Sequence, residues 1–281
     1  PAEAALDADV LARHALGGWE RGQLLTRQHD GCPAGFAAVF EALVARRERR
    51  EPTGYIIGHR EFWELDIEVD ASVLVPRPET ELLVEEALSR LSPADGRGPD
   101  AGPEDRTGAA RRPHIADVGT GSGCIAIALA RWLPAAVVTA IDASEAALAV
   151  ARRNAVRHDV ADRVRCLRGD LLEAAAGPFD AVVSNPPYVP APDIPGLQPE
   201  VRDHEPHAAL AGGEDGLDLI RRLVPAAAAA LRPRGWLLFE FGFGQERGVR
   251  EIIAAEPRLE LVEIRPDLAG IPRVLVARHI E

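Results

Sequence analysis

The sequence predicts an α/β fold with a seven-stranded, Rossmann-like sheet, preceded by a small N-terminal helical domain and a connecting β-hairpin. Three observations lead to this expectation. From residue 114 onward, short apolar strands alternate with amphipathic helices, a pattern typical of a parallel sheet with helices on both faces. A glycine-rich turn joins the first of these strands to the first helix. Before residue 51, apolar residues recur at helical spacing.

The first third of the chain predicts helices and then a hairpin. Residues 4–50 are expected to form short helices. Over residues 61–76 apolar side chains alternate, which predicts two strands around a turn at residues 70–72. A helix over residues 79–91 follows a proline. Residues 92–113, rich in Ser, Pro, Gly, Asp and Arg, are expected to be a flexible loop or insertion.

The remainder predicts the sheet and its helices. The strands are expected at residues 115–118, 137–141, 164–168, 179–184, 236–241, 259–264 and 274–277, and the helices between them at residues 124–132, 145–158, 217–231 and 245–255. In such sheets, ligands bind at the carboxyl ends of the strands. The turns that follow the strands are therefore the place to look for a site.

Residues 116–123, Ala-Asp-Val-Gly-Thr-Gly-Ser-Gly, form the glycine-rich turn. Glycine tolerates positive φ and lets a ligand approach the backbone. A dinucleotide fingerprint would place a third small residue at position 124, which is Cys. This register suits S-adenosylmethionine instead, which brings no pyrophosphate to a helix N-terminus. A tight turn without a ligand remains an alternative. The candidate cofactor-binding residues here are Gly119, Thr120, Gly121, Ser122 and Gly123.

Two further strand ends carry candidate cofactor contacts. Asp142 lies roughly 20 residues beyond the glycines, where a carboxylate can accept ribose hydroxyls. It could equally cap the helix that begins near Ser144. After the next strand, Asp170 could accept the adenine amino group while Leu171 covers the ring. A plain loop is the other interpretation of these two residues.

The most specific feature is Ser-Asn-Pro-Pro-Tyr at residues 184–188, at the end of the fourth strand of the alternating region. A conjugated amide or amino nitrogen is a poor nucleophile because its lone pair is delocalised. The Asn185 side-chain oxygen and the Pro186 carbonyl can accept its two N–H bonds. Proline stiffens the loop and supplies no competing donor, and Tyr188 can lie against the flat group. The pattern predicts N-methylation, unless the two prolines merely end the strand.

These segments resemble the protein-(glutamine-N5) methyltransferases of release factors, the PrmC or HemK family. The resemblance runs from about residue 52 to the C-terminus. It rests on residues 58–63 (Gly-His-Arg-Glu-Phe-Trp), 74–84 (Leu-Val-Pro-Arg-Pro-Glu-Thr-Glu-Leu-Leu-Val), 117–123 and 184–188. The Asn-Pro-Pro-Tyr motif is also shared with adenine-N6 methyltransferases, and the first two segments are what favour the glutamine-modifying family.

The resemblance implies three units: an N-terminal helical substrate-binding domain at residues 1–58, a β-hairpin linker at residues 59–77 and a class I methyltransferase domain at residues 78–281. It implies methyl transfer from S-adenosyl-L-methionine to the glutamine N5 of the Gly-Gly-Gln motif in class I peptide chain release factors. Asn185, Pro186 and Tyr188 are then the catalytic residues. The substrate contacts come from Asn185, Pro186, Pro187 and Tyr188, and the cofactor also touches Asn185.

Charge and residue types narrow the partners. The formal net charge of −12 argues against a nucleic-acid-binding surface. The sequence has neither a membrane-length apolar run nor a secretory signal, so we expect a soluble, cytoplasmic protein and, further, a monomer. The three cysteines and eight histidines lack metal-ligand spacing, and we expect no metal. Arg77 and Glu79 either shape a cleft between domains or form a structural ion pair.

Three other functions are alternatives to this one. An adenine-N6 methyltransferase acting on RNA or DNA would use the same chemistry on a flipped base. A cofactor-binding scaffold without turnover would give the Asn-Pro-Pro-Tyr motif no function. An NAD-dependent oxidoreductase conflicts with the glycine register and does not explain that motif.

Overall fold

The structure is a computed structural model that describes residues 2–27, 29–92 and 112–280. The loop predicted over residues 92–113 lies outside these ranges, apart from residues 92, 112 and 113. In the described part of the chain, every helix falls short of the length and apolarity that crossing a bilayer requires.

Four short helices are found among the described residues of the N-terminal part, as the helical spacing predicted. They are α1 (Ala2–Ala15), α2 (Arg21–Thr26), α3 (Phe36–Glu48) and α4 (Thr53–Ile57). Helix α3 buries none of its residues, so polar links carry much of the packing. The Asp7 carboxylate on α1 accepts hydrogen bonds from Arg47 Nε of α3 at 2.7 Å and from Thr53 Oγ1 of α4 at 2.8 Å. One side chain thus joins three helices.

A two-stranded antiparallel hairpin follows, formed by β1 (His59–Phe62) and β2 (Leu65–Glu68). Its turn is Trp63-Glu64, and both residues have positive φ, 51° and 59°. Two consecutive left-handed residues make a turn whose twist matches that of the flanking strands.

The predicted position of the hairpin turn, residues 70–72, is wrong. A local turn does exist there, in which Ser72 N donates to Asp70 Oδ1 at 2.8 Å. The chain after it does not pair as a strand, and Val73 and Val75 instead pack into the core. The sequence missed the true turn because Trp63-Glu64 contains none of the Gly, Asn or Asp residues that usually accept positive φ.

The described residues contain one seven-stranded sheet, which confirms the predicted fold class. Its strands are β3 (His114–Val118), β4 (Val137–Asp142), β5 (Val164–Arg168), β6 (Phe179–Ser184), β7 (Leu231–Glu240), β8 (Leu259–Pro266) and β9 (Pro272–His279). The order is β5-β4-β3-β6-β7-β9-β8. The first five strands run parallel, whereas β9 is antiparallel to both β7 and β8.

Helices cover both faces of this sheet. They are α5 (Glu81–Leu91), α6 (Cys124–Trp132), α7 (Glu145–Arg157), α9 (Asp218–Ala230) and α10 (Glu246–Ala254). Between α7 and α9 in the chain lies the short helix α8 (Pro199–His204), of which no residue is buried. The hairpin, α5, α6 and α7 share one apolar cluster, and α9 and α10 share the other. The strand order reverses at β3, which lies between β4 and β6, so a crevice for a ligand is expected at the carboxyl ends of these strands.

Candidate active site

Two adjoining cavities lie at the carboxyl ends of β3, β4 and β6. The larger, of about 550 Å³, is bordered by most of the predicted cofactor residues: Gly119, Thr120, Gly121, Ser122, Asp142, Asp170, Leu171 and Asn185. The smaller, of about 210 Å³, is bordered by Asn185, Pro186, Tyr188, Leu74 and Arg77, among others. Pro187 borders the larger cavity. Asn185 borders both and therefore stands where they meet.

The glycine-rich turn is fastened to the end of β4. The backbone N–H groups of Gly119 and Thr120 both donate to the Ile141 carbonyl, each at 2.9 Å. Gly121 N–H donates to Asp142 Oδ2 at 2.9 Å. Gly119 and Gly121 have positive φ, 72° and 55°, and a Cβ at Gly121 would meet nothing within 4 Å. A side chain there would therefore take space from the cavity.

Gly123 lies in a different environment from Gly119 and Gly121. It does not border the cavity. A Cβ at this position would come within 3.1 Å of both the Ala151 Cβ atom and the Ile127 Cδ1 atom. Its missing side chain lets α6 pack closely against α7, so the structure ties this glycine to packing.

A buried carboxyl group lies beneath the turn. Asp117 is fully buried, and its Oδ2 accepts bonds from Thr120 Oγ1 at 2.6 Å and Ala126 N at 3.2 Å. Burial raises the pKa of Asp117 to about 7. Its Oδ1 atom is buried without a partner among the described residues. A positively charged group close to this turn would be stabilised, since it would offset the cost of an under-paired carboxylate.

The Asp142 carboxylate borders the cavity and does not cap α7. Its Oδ1 accepts from Ser144 N at 2.9 Å, while the Ser144 hydroxyl itself caps the helix by accepting from Ala147 N at 3.2 Å. Each oxygen of a carboxylate can accept more than one hydrogen bond. Asp142 can therefore hold the turn through Gly121 and still accept a ligand hydroxyl.

The third pair of predicted cofactor residues is arranged unevenly. Leu171 is buried and has φ of 50°, a left-handed conformation that is uncommon for a residue with a side chain. Asp170 is exposed and forms an ion pair with Arg222 at 2.5 Å. Leu171 can therefore provide an apolar wall, whereas the Asp170 carboxylate is already paired with the Arg222 guanidinium.

The Asn-Pro-Pro-Tyr segment is anchored by a hydrogen-bonded chain. Asn185 Nδ2 donates to Thr80 Oγ1 at 2.9 Å, and Thr80 Oγ1 donates to Glu240 Oε2 at 2.6 Å. Tyr188 donates its hydroxyl proton to Glu240 Oε1 at 2.9 Å. Burial raises the pKa of Glu240. Burial, and then the neighbouring Glu240 charge, raise the pKa of Tyr188.

Two acceptors of this segment have no protein partner in the described ranges: the Asn185 side-chain oxygen and the Pro186 main-chain carbonyl. The backbone beside them is held in place, because Gln245 Nε2 donates to the Tyr188 carbonyl at 2.8 Å. A pair of fixed, available acceptors is what a group with two N–H bonds would need.

Arg77 is both a partner in an ion pair and part of the cavity wall. Its Nη2 contacts Glu205 Oε1 at 2.6 Å, and it borders both cavities. Burial raises the pKa of Glu205. Glu79 is exposed and borders neither cavity. Arg77 therefore both forms an ion pair and borders the cavities, but its partner is Glu205 and not Glu79. No group of potential metal ligands is found in the part of the chain that the structure describes.

Thr80 and Glu240 were not singled out from the sequence. Thr80 lies in the Pro-Arg-Pro-Glu-Thr-Glu segment, where only Arg77 and Glu79 drew attention. Glu240 is the only charged residue of residues 236–241, Trp-Leu-Leu-Phe-Glu-Phe. A lone acid at the carboxyl end of an apolar strand was the available signal, because such a residue is buried near the ligand crevice.

Comparisons with known proteins identify the relatives of this chain. Residues 1–58 match the family model of the PrmC N-terminal domain, and residues 106–194 match that of the methyltransferase small domain. The chain is 48% identical to release factor glutamine methyltransferase of Geobacter sulfurreducens, over 75% of this chain and 68% of the relative. It is 42% identical to the Bradyrhizobium diazoefficiens protein of the same name, over 99% of this chain and 89% of the relative.

Solved structures show the same fold at low identity. A methyltransferase from Pyrococcus furiosus superposes with a TM-score of 0.55 at 17% identity, covering 86% of this chain and 98% of that one. The hMettl16 catalytic domain, solved in complex with MAT2A 3'UTR hairpin 6, gives a TM-score of 0.59 at 14% identity, covering 82% and 81%. At these identities the likeness concerns the fold alone.

Proposed function

The chain belongs to the release factor glutamine methyltransferase family, a family of S-adenosylmethionine-dependent enzymes, and from this premise we propose its substrate and mechanism. It transfers a methyl group to the side-chain nitrogen, N5, of the glutamine in the Gly-Gly-Gln motif of class I release factors. The observation that carries the proposal is the pair of available acceptors, Asn185 Oδ1 and the Pro186 carbonyl, at the junction of two cavities.

The residues around the larger cavity fit S-adenosylmethionine. The volume of this cavity, about 550 Å³, is typical of a small-molecule site. Asp142 can accept the ribose hydroxyls, Leu171 can cover the adenine, and the absent side chains of Gly119 and Gly121 leave room for the ligand. The unpaired Asp117 oxygen favours a cationic ligand nearby. When bound, the cofactor supplies an electrophilic methyl group on a positively charged sulfur.

The Asn-Pro-Pro-Tyr segment makes the amide nitrogen reactive. Asn185 Oδ1 and the Pro186 carbonyl accept the two N–H bonds of the glutamine amide, which holds both hydrogens and favours a lone pair directed away from them. The prolines provide no N–H that could compete for these acceptors. Tyr188 provides a flat wall for the amide. The protein thus lowers the barrier mainly by orientation.

Proton release needs no strong base. A newly methylated amide nitrogen that still carries its two hydrogens is far more acidic than a neutral amide. Asn185 and Pro186 already accept those hydrogens, so the excess proton can pass to water as the product leaves. Neither acceptor changes its own protonation state in this scheme.

The size of the smaller cavity favours a glutamine over a base. At about 210 Å³ it is smaller than the roughly 300 to 1,000 Å³ usual for small-molecule pockets. Apolar residues Leu74, Leu197, Val201 and Leu210 border it. One extended side chain suits such a space better than a flipped nucleoside.

Ion pairs between the N-terminal part and α8 support a role of this part in substrate binding. Arg47 and Arg50 on the N-terminal side both contact the Glu200 carboxylate of α8, at 2.8 Å and 2.7 Å. Val201, the next residue of α8, borders the smaller cavity. We propose that residues 1–58 bind the release factor, that residues 59–77 are the linker and that residues 78–281 carry out catalysis. We further propose that the protein acts as a monomer in the cytoplasm, where release factors work.

The direct test is transfer of labelled methyl groups from S-adenosylmethionine to purified release factor. The enzyme is compared with its Asn185→Ala form and with Arg247→Ala, a control at a side chain that is 91% exposed. The factor is compared with a form whose Gly-Gly-Gln glutamine is alanine. Label is expected only when both the glutamine and Asn185 are intact, and Arg247→Ala should label normally.

The other outcomes point to other functions. Label on RNA or DNA but not on the release factor would establish the adenine-N6 reaction. Cofactor binding without label on any substrate would indicate a scaffold without turnover. Label that persists on the glutamine-free factor would contradict the assigned target atom.

A further inference from the structure

The chemistry proposed above requires Asn185 to present its oxygen to the substrate. The oxygen and nitrogen ends of an asparagine amide have nearly the same shape, so a half-turn about the last side-chain bond exchanges them. In the flipped orientation the Asn185 NH₂ group would face the N–H bonds of the substrate, and two donors would oppose each other. Something must therefore hold the amide in one orientation.

The direction of the hydrogen bonds identifies what holds it. A threonine hydroxyl has one proton to donate. Burial raises the pKa of Glu240, but the hydrogen bonds from Thr80 and Tyr188 and the charge of Arg273 lower it and favour the ionised carboxylate, which can only accept. Thr80 Oγ1 lies 2.6 Å from Glu240 Oε2, so its proton goes to that oxygen. Towards Asn185, at 2.9 Å, the hydroxyl can then only accept, and the neighbouring amide atom must be the nitrogen. The oxygen is consequently left on the other side of the amide.

The same carboxylate also fixes the second wall of the site. Glu240 Oε1 accepts the Tyr188 hydroxyl proton at 2.9 Å. Thr80 is 2% exposed and Glu240 is 1% exposed, so bulk water cannot readily replace either partner. Asn185 and Tyr188 are the two ends of the Asn-Pro-Pro-Tyr motif. The same buried carboxylate holds both, Tyr188 directly and Asn185 through Thr80.

We propose that Thr80 and Glu240 are positioning residues for the methyl transfer, because together they set which atom of the Asn185 amide faces the substrate and where Tyr188 stands. The kinetic consequence rests on the proposed function. The orientation of the amide does not, since it follows from contacts within the protein. The two parts can therefore be tested separately.

The first test needs no substrate. The sequence contains only two asparagines, Asn154 and Asn185, so protein labelled with [¹⁵N]asparagine gives two side-chain NH₂ signal pairs in an NMR spectrum. Asn185→Ala assigns them. Asn154, whose Nδ2 donates to the Glu68 and Ser122 carbonyls, both at 2.9 Å, serves as internal reference.

The variant to compare is Thr80→Val, which keeps the shape of the side chain and removes the acceptor. The Asn185 pair is expected to shift in Thr80→Val and to return near its original position in Thr80→Ser. The Asn154 pair should stay in place, which also reports an intact fold. An Asn185 pair that does not move in Thr80→Val overturns the assignment of Thr80.

The second test is kinetic and uses release factor as substrate. Thr80→Val is expected to lower kcat by roughly tenfold or more, with the Thr80→Ser form recovering most of the loss. Thr80 also borders the larger cavity, so the affinity for S-adenosylmethionine is measured alongside and should stay within about threefold of wild type. A loss of cofactor affinity that accounts for the whole defect would overturn the positioning role.

A double-mutant cycle separates positioning from general support of the fold. If Thr80 acts through Asn185, Thr80→Val should cost less than about twofold in an Asn185→Ala background. Fully additive losses would contradict the proposal. Glu240→Gln tests the anion: a glutamine offers only one acceptor oxygen, so either Thr80 or Tyr188 loses its acceptor and kcat should fall by at least about tenfold. An unchanged kcat would remove Glu240 from the assignment.

The two tests also separate two kinds of failure. If wild-type protein does not label the release factor, the proposed function fails, and the NMR result still decides whether Thr80 orients Asn185. If wild type labels the factor and the Asn185 pair is unmoved in Thr80→Val, only the inference about positioning fails.

Discussion

Replacing Asp117 by Asn should change how the stability of this protein depends on pH. The Asp117 carboxyl group is fully buried, and its Oδ1 atom has no partner among the described residues. Burial raises its pKa from 3.8 to about 7. The folded protein therefore holds on to this proton more tightly than the unfolded chain does.

The sign and size follow from that difference. A carboxyl group whose folded pKa is raised contributes stability below its unfolded pKa of 3.8, and the contribution is lost as the pH rises to about 7. A difference of about three pKa units corresponds to roughly 4 kcal/mol in the free energy of unfolding. Between about pH 5 and pH 8 the loss is roughly 2.5 kcal/mol, or about 4 °C in Tm for a chain of this size.

The assay compares Tm of wild type and Asp117→Asn across that pH range. Asparagine keeps the acceptor oxygen for Thr120 and never ionises, so any packing cost of the substitution is the same at every pH. The Tm of the variant minus that of wild type should therefore increase by about 4 °C from pH 5 to pH 8. Other titrating groups cancel in the comparison. A Tm difference that stays constant across the range would refute the raised pKa.

Three further predictions concern neighbouring features. Gly121→Ala should weaken S-adenosylmethionine binding, measured by calorimetry, by about tenfold with a small change in Tm, whereas Gly123→Ala should mainly lower Tm. Equal effects of the two substitutions would contradict the assignment of Gly121 to the cavity and of Gly123 to packing. Asn154→Ala should lower the free energy of urea unfolding by about 3 kcal/mol, because the buried Ser122 carbonyl and the half-buried Glu68 N–H and carbonyl lose their partner. A loss below about 1 kcal/mol would contradict this expectation. Arg77→Ala should raise KM for release factor and lower Tm, and adding Glu205→Gln should restore Tm but not KM. An unchanged KM with a lower Tm would show that the Arg77–Glu205 ion pair is purely structural.

The sheet could be predicted well because its signal is local. The strand at 179–184 has the predicted bounds, since a strand buried on both faces is a short apolar run between turns. The edge strand at 164–168 also has the predicted bounds, although only Val164 is buried there. Strand β7 begins at Leu231, five residues before the predicted start. Its first residues, Leu-Arg-Pro-Arg-Gly, combine charge, proline and glycine, which favour a loop locally. In the structure Leu231 pairs with Phe179 of β6, and this pairing makes the segment part of the strand.

The site divides in the same way between local and distant information. Asn185 and Pro186 are adjacent in sequence, so the sequence alone could suggest a pair of acceptors. Their orientation depends on contacts between residues 105 and 160 positions apart, Asn185 with Thr80 and Thr80 with Glu240. Those contacts exist because β6 lies beside β7 in the sheet and because the turn before α5 packs over both strand ends. A motif can therefore name the atoms that meet the substrate, whereas the topology determines which way those atoms point.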